Sequence, residues 1–168
     1  VEYELDVLIY ATGFEWMATG TFNMIVGRDG HTLRDRWREG GVRTFLGLHS
    51  HGFPNLFIMS GPQGGGGQFN FTRGLEGHTD YVVWMLQTMK QRGAAVVDVK
   101  RELEEDYAQH CREADLLTAP LRDCLSYYNG DGKAEPGSLA YYGGPAKWHR
   151  LRTEAQATLE PYVFEYAA

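Results

Sequence analysis

The tightest constraint on this chain is the stretch GPQGGGGQFNFTRG, residues 61 to 74, where four consecutive glycines separate an apolar run from a helical pattern. Each glycine held in regular structure costs up to about 1 kcal/mol relative to alanine, because it has the most backbone freedom to lose. Four in a row call for a tether, a phosphate cradle, or backbone pressed against a flat ligand. A phosphate loop fails on its chemistry. Gly61 and Gly66 have the glycine spacing, but Gly67 and Gln68 stand where lysine and a hydroxyl residue are needed. The dinucleotide fingerprint fails as well, since Phe69 or Asn70 occupies the position of its third glycine. A loose tether does not suit flanks that read as a buried strand and a strong helix. Two readings stay open on the residues alone: backbone against a planar ligand at a strand-to-helix junction, or a tight loop with no ligand.

The flanks place that junction in an α/β chain. Leu5-Asp6-Val7-Leu8-Ile9-Tyr10-Ala11 is a nearly continuous apolar run, the pattern of a strand buried on both faces of a parallel sheet. Val42 to Leu48 and Leu56-Phe57-Ile58-Met59 predict two more strands, the second bounded by the turn residues Pro54-Asn55 and Ser60-Gly61-Pro62. After the glycines, Leu75, Thr79, Val82, Leu86 and Met89 recur at helical spacing and predict an apolar stripe. Asn70 or Thr72 can cap its start, and Gly93 sits where a helix ends. Ala94 to Val97 predicts a short strand. Val99, Leu103, Tyr107, Cys111 and Ala114 trace a second amphipathic helix with Asp98 as its cap. Lys100, Arg101, Glu104, Glu105 and Arg112 form the solvated face of that helix. A short helix is expected over 33–38 and a final one over 147–159, with a strand at Tyr162-Val163-Phe164. Between 119 and 146 the helical period is lost, while Tyr127, Tyr128, Tyr141 and Tyr142 argue for ordered irregular structure. No internal repeat is present.

Bulk properties exclude several classes. With 16 basic against 22 acidic residues the formal charge is −6, which argues against a nucleic-acid surface or a basic membrane patch. No apolar run approaches the roughly 20 residues that span a bilayer. Two cysteines among 168 residues make no disulfide scaffold and read as reduced thiols of a cytoplasmic protein. Cys111 lies on an apolar stripe as a small core residue, and Cys124 has no histidine nearby to activate it. Trp84 and Met85 read as core. His49 and His51 could pair on one strand face as metal ligands, but no third ligand accompanies them, so no metal is expected.

Two motifs resolve the open readings by resemblance. Asp6-Val7-Leu8-Ile9-Tyr10-Ala11-Thr12-Gly13-Phe14 resembles the "ATG" strand of flavoproteins built on two dinucleotide-binding domains. Gly52-Phe53-Pro54-Asn55-Leu56-Phe57-Ile58-Met59-Ser60-Gly61-Pro62 resembles the late strand of flavin-dependent monooxygenases, whose Gly-Pro end meets the flavin. In this order, and followed by a helix, they most resemble the Baeyer–Villiger monooxygenase family. The resemblance extends to Leu33-Arg34-Asp35-Arg36-Trp37, Thr44-Phe45-Leu46-Gly47, Ser126-Tyr127-Tyr128-Asn129-Gly130, Tyr141-Tyr142-Gly143-Gly144 and Trp148-His149-Arg150-Leu151-Arg152. Two departures stand out. Tyr127 replaces the family's usual tryptophan, and Gly64 to Gly67 replace a Ser/Pro/Ala-rich loop, which implies a more open substrate wall.

The resemblance implies a partial FAD-binding fold. Residues 1–118 would be the C-terminal part of the FAD domain, and 119–168 an irregular extension with a short helix packing on it. It implies FAD and NADPH as cofactors, O2 and a small ketone as substrates, and an ester or lactone as product. Thr12, Gly13, Gly61, Pro62, Gln68, Phe69, Asn70 and Phe71 would contact the cofactor. Gly65, Gly66, Gly67 and Tyr127 would border the substrate and NADPH, with Gln68 beside them. No catalytic residue is expected in the chain, because the family's flavin-side arginine and its glycine fingerprints would lie before Val1. The alternatives are an N- or S-oxygenating flavin monooxygenase of the same superfamily and a detached, inactive module. A fragment of this kind is expected to be inactive alone and to self-associate through surface that the remainder would cover.

Overall fold

The computed structural model describes residues 2–13, 20–65, 70–113, 139–141 and 143–167. Its regular elements are α1 (Gly20–Met24), α2 (Leu33–Gly40), α3 (Phe71–Arg92), β1 (Ala94–Val99), α4 (Arg101–Glu113), α5 (Pro145–Thr158) and β2 (Tyr162–Tyr166). The architecture is α/β, with β1 and β2 paired antiparallel in a two-stranded sheet. Val97 faces Phe164 and Val99 faces Tyr162, with an irregularity between Ala94 and Val96.

The long helix forms where its pattern predicts. Asn70 caps it, its side chain accepting from Arg73 N at 3.1 Å. Gly93 ends it in the left-handed region, φ 69°, where a side chain would be strained. Its buried face is rotated from the expected stripe, however. His78, Tyr81, Met85 and Met89 are buried, whereas Thr79 and Leu86 face solvent. The reason is hydrogen bonding: both polar rings find partners inside, so burying them costs little.

The expected strands near the N-terminus do not form. Residues 2–13 have no regular structure and are exposed along their length. An apolar run becomes a strand only when neighbouring strands take up its backbone groups, and among the described residues none does so. Val42 to Leu48 and Leu56 to Met59 are likewise irregular. An isolated bridge between Phe45 and His49 folds the first back on itself, and Ile58 N, donating to Leu48 O at 2.8 Å, joins the second to it.

Two apolar clusters hold the elements. The larger gathers Phe45, Leu46 and Leu48 with Tyr81 and Met85 of α3, Val97 and Val99 of β1, Tyr107 and Cys111 of α4, Trp148 of α5 and Tyr162 of β2. The smaller joins Leu33 and Trp37 of α2 to Val42 and Phe53. Cys111 is a core residue as expected, and burial pushes its thiol up to about 12. Cys124 lies outside the described residues.

Glu104 departs from its expected solvated face. Fully buried, it pairs with Arg36 of α2 and accepts from His51 N at 2.8 Å and Ser50 Oγ at 3.1 Å. A buried carboxylate survives only with such partners. It thereby ties α4 to α2 and to the turn at residues 50–51. Asp98 does not cap α4, which starts at Arg101; its carboxylate accepts from Val99 N and Gly52 N instead.

The two histidines separate. His49 Nε2 lies 2.8 Å from the Tyr81 hydroxyl, which donates to the Tyr162 hydroxyl at 2.6 Å. His51 Nδ1 lies 2.7 Å from Val99 O. Both are spent on structure. Among the described residues no group of three metal-ligating side chains occurs, and no helix is long and apolar enough to cross a membrane.

The backbone is tightest at Gly47. At φ 72° it sits against Gly64, and a Cβ placed on it would fall inside the van der Waals radius of Gly64 Cα. Gly47→Ala should therefore destabilise by about 1–3 kcal/mol through overpacking, read as a lower urea midpoint. An unchanged midpoint would show that the two segments are free to separate. Burial holds His49 near 4, well below the usual 6.5. A neutral histidine favoured in the folded state contributes stability that is complete above 6.5 and drains away as pH falls toward 4. The wild-type urea midpoint should drop over that interval by more than that of His49→Gln; equal slopes would contradict it. Finally, Tyr3, Leu5, Val7, Leu8, Ile9 and Tyr10 are all exposed, Ile9 to 82%. Contiguous apolar surface of this kind drives association. Light scattering of the isolated chain should report a mass above the monomer's, returning to monomer on substituting Leu8 and Ile9 by lysine.

Candidate functional site

The site is built around the turn Ser60–Gly65, which leads from the irregular 56–59 segment toward α3. Ser60 and Gln63 both adopt positive φ, 52° and 62°, in a region that side chains seldom occupy. Such strain persists only where the surroundings over-determine the backbone. Here they do so through two residues, Gln63 and His78.

Gln63 is the first. Its side chain is buried, with Oε1 accepting from Thr44 N at 2.9 Å and Nε2 donating to Val42 O at 3.0 Å. The Thr44 hydroxyl lies 2.9 Å from the same Oε1 and 3.2 Å from Pro62 O, and donates to one at a time. The Gln63 backbone is held too: its N donates to Leu139 O at 3.1 Å, and its carbonyl accepts from the Tyr107 hydroxyl at 2.8 Å. Gly64 N closes the turn on Gly61 O at 3.2 Å.

From beneath, His78 of α3 spans the turn. Its Nδ1 accepts from Ser60 N at 3.1 Å, and its Nε2 donates to Gly64 O at 3.2 Å. That pairing requires the neutral ring with its proton on Nε2. Burial, followed by the nearby Arg152 guanidinium, lowers the pKa of His78, while Gly64 O works against the shift. Trp148 of α5 packs on the His78 ring at 5.2 Å between centroids and donates from Nε1 to Leu46 O at 3.2 Å. The indole thus braces both His78 and the segment beside Gly47.

The sequence-predicted residues fall into three groups. Gly61 and Pro62 lie half-buried on the turn, and Gly65 is buried at its end. Asn70 and Phe71 open α3, Asn70 as its cap and Phe71 with a ring 65% exposed. Thr12 and Gly13 lie in the exposed N-terminal segment, apart from the turn's hydrogen-bond network. Gly66, Gly67, Gln68, Phe69 and Tyr127 lie outside the described residues. Gln63 and His78, which fix the turn, escaped the sequence reading. The one available signal was a histidine in helical register with Val82, Met85 and Met89 of an amphipathic helix.

A flat ring with an electron-rich edge suits this surface on three counts. The turn is bare backbone at Gly61, where an added Cβ would collide with the Ile58 side chain and only glycine fits. The first turn of α3 leaves the amides of Phe71 and Thr72 without intrahelical acceptors. No acidic residue sits in that turn to cancel the partial positive charge of the helix end.

No family model matches the chain. A Baeyer-Villiger monooxygenase of Streptomyces coelicolor is 36% identical over 159 residues, taking in 89% of this chain and 26% of its own length. Phenazine N-monooxygenase PhzNO1 of Lysobacter antibioticus is 31% identical over 168 residues, covering 97% of this chain and 30% of its own. Among solved structures, cyclohexanone monooxygenase from Rhodococcus sp. Phi1 bound to NADP+ is similar over 99% of this chain and 32% of that one, with a TM-score of 0.81 at 26% identity. The chain therefore spans between a quarter and a third of the length of these relatives. In sequence and in backbone alike, it belongs to the Baeyer–Villiger family of flavin-dependent monooxygenases.

Proposed function

We propose that this chain forms one wall of the flavin and substrate site of a monooxygenase that uses FAD and NADPH to insert one oxygen atom of O2 into a ketone, giving an ester or lactone. The observation that carries the reading is the over-determined turn at Ser60–Gly65, held to α3 through His78, together with a first turn of α3 free of acidic residues. A reduced flavin carries negative charge on its pyrimidine edge, and a helix N-terminus stabilises charge of that sign. The relatives whose sequence and backbone match over most of this chain support the same assignment.

In this reading Gly61, Pro62, Asn70 and the Phe71 backbone hold the flavin edge, with Gln68, Phe69, Thr12 and Gly13 contributing to the cofactor surface. Gly65, Gly66, Gly67 and Tyr127 border the substrate and the nicotinamide. The chemistry supplied by the bound flavin is oxygen activation after reduction by NADPH. The chain's own residues contribute position. The rigid turn fixes where the ring edge rests, and the helix end favours its anionic form. A glycine-lined wall leaves room above the ring for a ketone. The isolated chain is then a positioning surface without turnover of its own.

A second reading has a specific observation behind it. The phenazine N-monooxygenase aligns with 97% of this chain, so oxygen transfer to a heteroatom shares the same scaffold. The complete polypeptide should purify with flavin absorbance and oxidise NADPH faster when a ketone is added. With isotopically heavy O2, one heavy oxygen should appear in an ester or lactone. Label in an N-oxide or sulfoxide, with none in an ester, would establish the heteroatom reading in its place. A complete polypeptide that binds no flavin would overturn both.

A further inference from the structure

One imidazole holds both ends of the turn that would meet the flavin. Ser60 N donates to His78 Nδ1 and His78 Nε2 donates to Gly64 O, so a single rigid ring fixes the separation of residues 60 and 64. Between them lie Gly61 and Pro62, both half-buried. The ring itself has little freedom. Trp148 lies over it, and a Cβ added at Gly64 would come within 3.1 Å of His78 Cε1. His78 is 2% exposed, so ligand would not touch it.

The arrangement is one-directional in its chemistry. One ring nitrogen must accept and the other must donate, which only the neutral Nε2–H ring does. A doubly protonated ring would set its Nδ1–H donor against the Ser60 N–H donor, and a ring with its proton on Nδ1 alone would face both partners wrongly. Burial favours the neutral state that the geometry needs. Since Ser60 and Gln63 are both in strained backbone, losing the Ser60 and Gly64 anchors would leave the shape of the turn to the hydrogen bonds around Gln63 alone.

We propose that His78 is a positioning residue for the flavin: by clamping Ser60 and Gly64 it sets where Gly61 and Pro62 meet the ring edge, and so tunes both the affinity for FAD and the environment of the bound flavin. The inference rests on the reading of this turn as the flavin-facing one. It assigns the role to a side chain that reaches the cofactor only through the backbone it holds.

Three substitutions divide the clamp. His78→Asn places an acceptor near Nδ1 and keeps the Ser60 arm. His78→Gln places a donor near Nε2 and keeps the Gly64 arm. His78→Leu keeps neither. In the complete polypeptide, the FAD dissociation constant should rise about tenfold or more for Leu and by a smaller factor for Asn and Gln. The visible absorption band of the bound flavin should shift or lose its fine structure in the same order. Amide hydrogen exchange at residues 60–64 should quicken in every variant relative to the rest of α3. A merely structural histidine would lower the melting temperature in all three while leaving the bound flavin's spectrum unchanged, and that result would overturn the proposal. If His78→Leu fails to fold, the Asn and Gln variants decide: wild-type affinity and spectrum in both would sink the clamp. Wild-type protein that binds no FAD would instead remove the flavin reading, and the clamp's role with it.

Discussion

The carboxamide of Gln63 is the interaction on which the candidate site depends. A buried amide left without partners costs a few kcal/mol, about as much as a small domain can spare. Gln63 meets that requirement by binding the backbone of Val42 and Thr44, while its own peptide groups bind Leu139 and the Tyr107 hydroxyl. Three distant parts of the chain, the 42–44 segment, Tyr107 and Leu139, thus converge on one residue in strained backbone. With Gln63 fixed, Gly64 falls against Gly47, and His78 finds both of its partners within reach.

Around that residue the protein solves a problem of irregular backbone. Residues 42–65 form almost no regular structure, yet Thr44, Leu46, Leu48 and Ser50 are all buried. Buried peptide groups outside helices and sheets need side-chain partners. They receive them from the helices that surround the segment: Tyr107 and Glu104 from α4, His78 from α3 and Trp148 from α5. Polar and aromatic residues therefore occupy helix faces that a simple amphipathic pattern would assign to leucine or to solvent.

That exchange explains what could be read from the sequence. The caps of α3, the existence of α2, α4 and α5, and the strands β1 and β2 follow from local chemistry, in which spacing and capping residues suffice. The flavin-enzyme family was legible from the strand-like motifs ending at Gly13 and Pro62, by resemblance and not by physics. The face of α3 was misread because His78 and Tyr81 count as polar in any pattern, whereas each is buried with a partner far away in sequence. Glu104 failed for the same reason, since only the fold brings Arg36 across from α2. The apolar run from Leu5 to Ala11 was read as a strand because hydropathy reports what a segment can bury and not whether a neighbouring strand is there to pair with it.

Trp148 carries a consequence for motion. Its indole touches the two supports of the turn at once, donating to Leu46 O next to Gly47 and covering the ring of His78. These supports belong to segments about thirty residues apart, and α5 joins them through one side chain. A rotation of α5 would act on both as a lever acts on two points of a beam. The floor of the site would tilt as a unit, carrying the backbone of Gly61 and Pro62 with it.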